Sequence, residues 1–301
     1  MNESEQAESL TLTNILKSLN RDKITIFIAT FLVTLASVIY SFSINNIYRS
    51  ESYLKLSENP SNFAENSSVM EAAGGIGNLL GISLGTNDKL ILANIKKIKS
   101  RSFLRSLIER DISFLNKLYA SKSFDLVTKE MNFDSSNFID SLDDLNNSDL
   151  VFFKIFEKYK KSLNMELEKD SGLLFISFDH VSPIFAKEAL DKITKEINLS
   201  ARKKSLENAN KNLFFLNQEL ANNQNLLVKK NIGNLAEKEL NKKMFAEVHT
   251  NEFLFEIVEP PFIPEKKIKP TRSLFLIFGI IFGILLGIFV ANTLRLIKKN
   301  D

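Results

Sequence analysis

The sequence contains no cysteine and no tryptophan, and only two histidines and six prolines in 301 residues. Without cysteine there are no disulfides, no thiolate metal sites and no cysteine nucleophiles. His180 and His249 lie far apart, and no H-E-x-x-H or comparable ligand spacing accompanies them. Neither a metal nor a cofactor is therefore expected. An excess of one charge is missing too: 39 basic against 36 acidic residues give a net charge of +3. Nucleic acid, which requires a concentrated basic face, is excluded as a partner on that ground. No Gly-x-Ser-x-Gly elbow occurs, and the cluster Asp140, Asp143 and Asp144 reads as a solvated acidic turn. No catalytic residue is assigned, and the expectation is a chain that is not an enzyme.

Charge is absent altogether from two stretches. Ile24 to Ile44 is a run of 21 residues without a charged side chain, and Ser273 to Leu294 is a run of 22. At 1.5 Å of rise per residue they would reach about 31 Å and 33 Å as helices, the hydrocarbon thickness of a bilayer. The first run is too long for the core of a cleaved signal, and Tyr40-Ser41-Phe42-Ser43 offers no Ala-x-Ala-like site, so it reads as a retained anchor. Both flanks carry basic residues, Lys17, Arg21 and Lys23 before the first span and Arg295, Lys298 and Lys299 after the second. The positive-inside rule then puts both termini in the cytoplasm and residues 45 to 272 across the membrane. Lys266, Lys267, Lys269 and Arg272 oppose that orientation, but loops longer than about 60 residues cross largely regardless of charge.

Small residues recur within both spans. Gly279, Gly283 and Gly287 form a tandem small-xxx-small pattern that suits close packing against a neighbouring membrane helix. Thr30, Thr34, Ser37 and Ser41 place four hydroxyls on one helical face. Those hydroxyls either admit a second helix or bond back to their own backbone, and the sequence leaves both readings open.

Between the spans, Tyr48 to Ser57 reads as a strand and Glu58 to Asp88 as a glycine-rich surface loop. Gly75-Ile76-Gly77 with Gly81 mimics a dinucleotide fingerprint, but the last spacing is one residue too long and no strand leads into it. Leu90 to Tyr119 shows helical periodicity broken near Ser100 or Asp111, followed by a polar stretch through Asn147. Ser148 offers a cap for a helix to about Lys161. Met165 to Glu168 and Leu173 to Asp179 flank Lys169-Asp170-Ser171-Gly172 and read as an antiparallel hairpin, its second arm apolar enough for a central strand.

Ser182 then caps a helix with Pro183 at its first position, and neither proline nor glycine interrupts the chain before Gly233. The expectation is one uninterrupted helix of roughly 75 Å. Leu206, Ala209, Leu213, Leu216, Leu220, Asn223 and Leu227 follow heptad spacing along it, a seam that calls for a partner surface. Gly233 would close this helix, and Asn234 with Glu237 would open a return helix to about Ala246. Phe253 to Glu259 reads as a last strand, and Pro260, Pro261, Pro264 and Pro270 make a stiff, non-helical approach to the second span.

In this order these features resemble the chain-length determinant proteins of bacterial surface polysaccharides, the Wzz or polysaccharide co-polymerase family. The similarity is carried by Leu12-Thr13-Asn14-Ile15-Leu16-Lys17 with Tyr48-Arg49-Ser50 after the first span, and by Gly81-Ile82-Ser83-Leu84-Gly85 with Ile98 to Leu104. It continues in Leu174 to Phe178 with Ser182-Pro183-Ile184-Phe185-Ala186, and in Pro261-Phe262-Ile263-Pro264 through Pro270-Thr271-Arg272 into the glycine-bearing span. The family's adjacent Gly-Gly is replaced by glycines four apart, and the seven residues after Leu294 leave no room for the tyrosine kinase fused in some relatives.

The resemblance implies a non-enzymatic inner-membrane homo-oligomer acting on a separate membrane polymerase, and through it on a lipopolysaccharide O-antigen or exopolysaccharide. The growing lipid-linked glycan and membrane lipid are further partners it suggests. The expected architecture is α+β: two transmembrane helices, 24–44 and 273–294, flank a periplasmic domain with a small mixed or antiparallel sheet and a long projecting helix. Within that domain, 45–182 forms an α/β base, 183–247 an oligomerising helical hairpin, and 248–272 the return strand and proline-rich approach. Residues 1–23 and 295–301 are expected as cytoplasmic tails. A scaffold or adaptor of an export or other envelope machine fits the same architecture, whereas a sensor receptor would need a cytoplasmic output domain that such tails do not supply.

Overall fold

The computed structural model describes residues 23–57, 86–142, 145 and 149–300. It divides into two compact units, Met1–Asn46 with Ile268–Asp301, and Ile47–Lys267. The fold is a mixed one, with an apolar helix near each end of the chain, a small antiparallel sheet and a long helix. Residues 58–85 of the glycine-rich loop, the Leu12–Lys17 segment, Asp143, Asp144 and Ser148 lie outside the described residues, whereas Thr86 to Asp88, expected as the end of that loop, form the first turn of a helix.

The smaller unit pairs helix α1 (Lys23–Ser43) with helix α8 (Arg272–Asn300). Lys23 to Ser43 and Arg272 to Leu294 are each long and apolar enough to cross a membrane. Both expose leucine, isoleucine and phenylalanine on most of their circumference, as a helix facing lipid does.

The larger unit is built on strands β1 (Ile47–Leu56), β4 (Leu163–Leu167), β5 (Leu174–His180) and β6 (Phe255–Glu259), in the order β4-β5-β1-β6 with antiparallel pairing throughout this path. Glycine is required at the β4–β5 turn, where Gly172 has φ +68°. Strand β1 buries every second residue, Tyr48, Ser50, Ser52, Leu54 and Leu56. Two of those five are polar, which is why the alternation looks loose in the sequence. Ser50 Oγ donates to Phe262 O at 2.7 Å and Ser52 Oγ to Glu259 O at 2.6 Å, so both buried hydroxyls are satisfied by the returning chain.

Helices α2 (Thr86–Ile98), α3 (Arg101–Arg110), α4 (Ile112–Tyr119) and α5 (Asp149–Ser162) complete the core. The helical pattern breaks at both anticipated places. Ser100 caps α3 by accepting from Phe103 N, and Asp111 ends α3 and caps α4 by accepting from Ser113 N at 2.9 Å. The polar stretch after Tyr119 is not featureless. It contains a short antiparallel pair, β2 (Ser121–Phe124) with β3 (Met131–Phe133), and a single 3₁₀ turn at Ser135–Asn137.

Helix α6 (Pro183–Asn222) opens as anticipated, with Ser182 Oγ accepting from Phe185 N. Its first half packs on the sheet through Phe185, Ala189, Leu190, Ile193 and Ile197. Asn198, buried on the same face, accepts from Leu254 N and Phe255 N at 2.8 Å each and donates to Phe255 O at 3.0 Å, tying the helix to the start of β6.

The long helix ends earlier than the sequence suggests. Asn223 adopts an extended conformation, its N–H closing on Glu219 O, and Asn225 caps helix α7 (Leu226–Val248) by accepting from Leu227 N. Gly233 and Asn234 therefore lie inside α7 instead of closing one helix and opening the next. Asparagine offers its side chain to the backbone in non-helical conformations, and three asparagines within Asn222-Asn223-Gln224-Asn225 shift the balance there. α6 is about 60 Å long and α7 about 35 Å, lying along one another as a hairpin. Strand β7 (Lys267–Lys269) follows the proline-rich segment, and the Lys269–Pro270 peptide is cis.

Candidate functional site: the paired apolar helices and the long hairpin

In the helix pair, Gly279 and Gly283 of α8 face the small residues Ser37, Thr34 and Thr30 of α1, and Gly287 faces Ile26. A Cβ on Gly283 would lie 2.7 Å from Thr30 Cα, one on Gly287 2.9 Å from Ile26 Cα, and one on Gly279 3.0 Å from Ser37 Cβ and 3.1 Å from Thr34 Cα. The two backbones thus approach at a separation that leaves no room for a methyl group at Gly283 or Gly287. The neighbour that takes the glycine face belongs to the same chain. Ile26 completes the series of α1 contacts one helical repeat before Thr30, a position that continuing the four-residue step backwards would have identified.

The two readings of the hydroxyls divide between residues. Thr30 Oγ1 donates to its own helix at Ile26 O, 2.8 Å away, whereas Ser37 Oγ donates across to Phe275 O at 2.8 Å. Thr34 Oγ1 and Ser41 Oγ are buried without a hydrogen-bond partner.

The Tyr48-Arg49-Ser50 motif of the larger unit has a distinct task for each residue. Tyr48 is buried, Ser50 holds Phe262 O, and Arg49 makes a bidentate ion pair with Asp179, its register partner on β5, at 2.6 and 2.9 Å. The hydrogen bond to Asp179 raises the Arg49 pKa. Residues 130 positions apart meet here, so nothing local in the sequence indicates the pair.

Beside it, His180 is buried between β5 and the start of α6. Its Nδ1 accepts from Ser182 N at 3.1 Å, which leaves the proton on Nε2, within 2.9 Å of Ser121 Oγ. Burial, reinforced by the charge of Lys158, pushes the imidazole pKa down to about 3. Around the N-terminal turns of α6, Lys192 bridges Asp111 and Glu188, and Lys117 reaches Glu188 at 2.8 and 2.9 Å. Desolvation opposes ionisation of Asp111, but hydrogen bonds from Lys192 and Ser113 outweigh it and hold the carboxyl at about 2.

Along the hairpin, seam residue Ala209 is buried and Leu206, Leu213 and Leu216 are half-buried, but Leu220 is exposed at the far end. Leu227 does not continue the seam: it lies beyond the Asn223–Asn225 break on α7 and is 74% exposed. On α7, Ile232, Glu239 and Ala246 are buried. The hairpin leaves other large apolar side chains in solvent, notably Phe214 at 66% and Phe215 at 58%, with Leu226, Leu235 and Met244. Phe214 and Phe215 fall off the heptad positions, so the seam does not include them. In the proline-rich segment Pro261 and Pro264 are buried and Pro270 is half-buried.

An α+β unit whose sequence is bracketed by two apolar helices of bilayer length has the build of a two-span membrane protein. Residues 8–110, about a third of the chain, match the family described as Wzz, Chain length determinant protein. No curated protein sequence matches the chain. Among solved structures, one described as a full-length bacterial polysaccharide co-polymerase is similar at 14% identity, covering 96% of this chain and 99% of that one with a TM-score of 0.40. Another, a fragment of WzzB, a polysaccharide co-polymerase from Salmonella Typhimurium, is 12% identical over 74% of this chain and 100% of its own, with a TM-score of 0.32.

Proposed function

We propose that this chain is a chain-length determinant of a bacterial surface polysaccharide: a non-catalytic inner-membrane protein that biases how long a separate polymerase keeps extending its polymer. The observation that carries this reading is the Wzz match over residues 8–110, in a chain whose two apolar helices lie at the ends that the family resemblance requires. Both termini lie in the cytoplasm, and residues 45 to 272 lie in the periplasm. Residues 45–182 act as the base, 183–247 as an oligomerising hairpin, and 248–272 as the return strand and stiff approach containing Pro261, Pro264 and Pro270.

Self-association is supported by the apolar side chains that the hairpin leaves in water, among them Phe214 and Phe215, whose burial against a second copy would be worth about 1.5–3 kcal/mol each. An assembly of such hairpins offers a polar wall to the polymerase or the growing glycan, and contact with either changes the rate at which polymer is released. Deleting the gene and resolving the surface polysaccharide by gel electrophoresis tests the reading. The expected result is loss of a preferred length, and an unaltered length distribution would sink it.

A further inference from the structure

A cation, Arg272, stands where α1 ends and α8 begins. Arg272 is the first residue of α8, and the 22-residue uncharged run starts immediately after it. No acidic residue occupies the first turn of α8, and among the described residues no carboxylate pairs with Arg272. Its Nε is buried with no hydrogen-bond partner, an orphan donor that a folded protein ordinarily does not tolerate. A cation at a helix N-terminus also faces the positive end of the helix dipole, so the position is electrostatically unfavourable unless an anion joins it.

The surroundings shape this cation. The guanidinium carbon stands 4.3 Å over the Phe42 ring, which covers one face of the plane. One residue earlier, Ser41 is 1% exposed and its hydroxyl has no partner. Tyr40 and Phe275 lie ring to ring at 6.4 Å at the same level, and Ser37 Oγ is bonded to Phe275 O one turn away. A tyrosine such as Tyr40 at the end of an uncharged run marks the depth of the lipid headgroups. The abundant anion at that depth is phosphate, and a planar guanidinium fork matches its oxygens two at a time.

We propose that Arg272, held over Phe42 at the end of the paired helices, binds the phosphate group of a membrane lipid. The inference rests on the two-span reading above. The shared chemistry is a lipid phosphate, supplied either by a bulk phospholipid headgroup or by a diphosphate on a polyprenyl carrier.

The test uses the full-length chain purified in a neutral glycoside detergent. Phosphatidylglycerol, farnesyl diphosphate, or the phosphate-free digalactosyldiacylglycerol is added, and the bound lipid is counted by native mass spectrometry. The wild type is expected to retain both phosphate lipids on the order of tenfold better than the glycolipid. Arg272→Ala loses that preference, and Arg272→Lys, which keeps the charge without the fork, falls between the two. A preference for farnesyl diphosphate over phosphatidylglycerol assigns the site to a carrier lipid, and equal or reversed retention assigns it to the bulk headgroup. Retention of the glycolipid as strong as that of the phosphate lipids, or of phosphate lipids by Arg272→Ala as strong as by wild type, overturns the proposal. Should Arg272→Ala fail to fold, the wild type against Arg272→Lys still decides, because equal retention by those two removes the role of the fork. Lipid retention is read on the isolated protein, so its outcome is separate from any change in polysaccharide length.

Discussion

Gly283 lies so close to Thr30 that a methyl group on the glycine would stand 2.7 Å from the threonine Cα and 3.0 Å from its carbonyl oxygen. Both are backbone atoms of a helix and cannot step aside as a flexible side chain would. Gly283→Ala is therefore expected to push α1 and α8 apart at an overpacking cost of about 1–3 kcal/mol. At Gly279 the nearest atom is the Ser37 Cβ at 3.0 Å, so Gly279→Ala costs less. Thermal unfolding of the purified protein in detergent should rank wild type above Gly279→Ala and Gly279→Ala above Gly283→Ala. Equal melting of the three would contradict the close approach.

Asn198 makes all three of its hydrogen bonds to the backbone at the entrance of β6, and it is fully buried. Asn198→Ala strands two N–H groups and one carbonyl at once, and each buried orphan costs about 1–3 kcal/mol. The variant is expected to lose several kcal/mol, read as a large fall in the unfolding midpoint by circular dichroism. Asn198→Asp keeps the acceptor for both N–H groups but loses the donor to Phe255 O, so it should fall between. A loss below about 1 kcal/mol in the alanine variant would show that water replaces the side chain, and the tie would then be dispensable.

His180 gives the fold a dependence on pH whose sign follows from its burial. Its native pKa is about 3, against 6.5 for the free side chain, so between those values the unfolded chain binds a proton that the folded one refuses. Stability is therefore complete above about pH 6.5 and is lost progressively as the pH falls towards 3. Asp111, held at about 2, and Glu188, also lowered, weaken the fold only once the pH drops below the ordinary carboxylate range of about 4. Glu196, whose pKa burial raises, runs the other way and partly offsets the loss. From pH 7 to pH 5, the melting temperature of the wild type should fall while that of His180→Asn, lower at neutral pH, changes little. Parallel curves for the two proteins would remove His180 as the cause.

The elements legible in the sequence are those fixed by local chemistry. The charge-free runs of α1 and α8, the Ser182-Pro183 start of α6, a break near Ser100 or Asp111, and the glycine turn before β5 each need only a few neighbouring residues. What escaped depends on distant partners or on a balance between near-equal alternatives. Ser50 and Ser52 occupy the buried face of β1 because carbonyls some 210 positions away receive them. The β2–β3 pair has few apolar residues, and its connection carries positive φ at Lys129, where glycine or asparagine would have signalled a turn. The break at Asn223 was hidden because asparagine is tolerated both in a heptad seam and at a helix end. At the proposed functional surfaces, the glycines were visible from their spacing, whereas Ile26 and the ring of Phe42 beneath Arg272 required the second helix to be in place.

Phe214 and Phe215 provide the sharpest test of self-association, because both lie on α6 away from the sheet core and are largely exposed. Replacing both with serine removes apolar surface without opening a cavity, so the isolated fold should keep its helix content and melting behaviour. If neighbouring copies bury these rings, the double variant loses about 3–6 kcal/mol of association free energy per contact, enough to shift the detergent-extracted complex towards monomer. Mass photometry or light scattering on matched samples reads the change directly. Leu227→Ser on α7 is the companion measurement: it lies beyond the helix break, and an equal loss of mass would show that the contact extends over the tip of the hairpin. An unchanged complex in the Phe214→Ser, Phe215→Ser protein would place the association elsewhere, or show that these two rings serve a different partner.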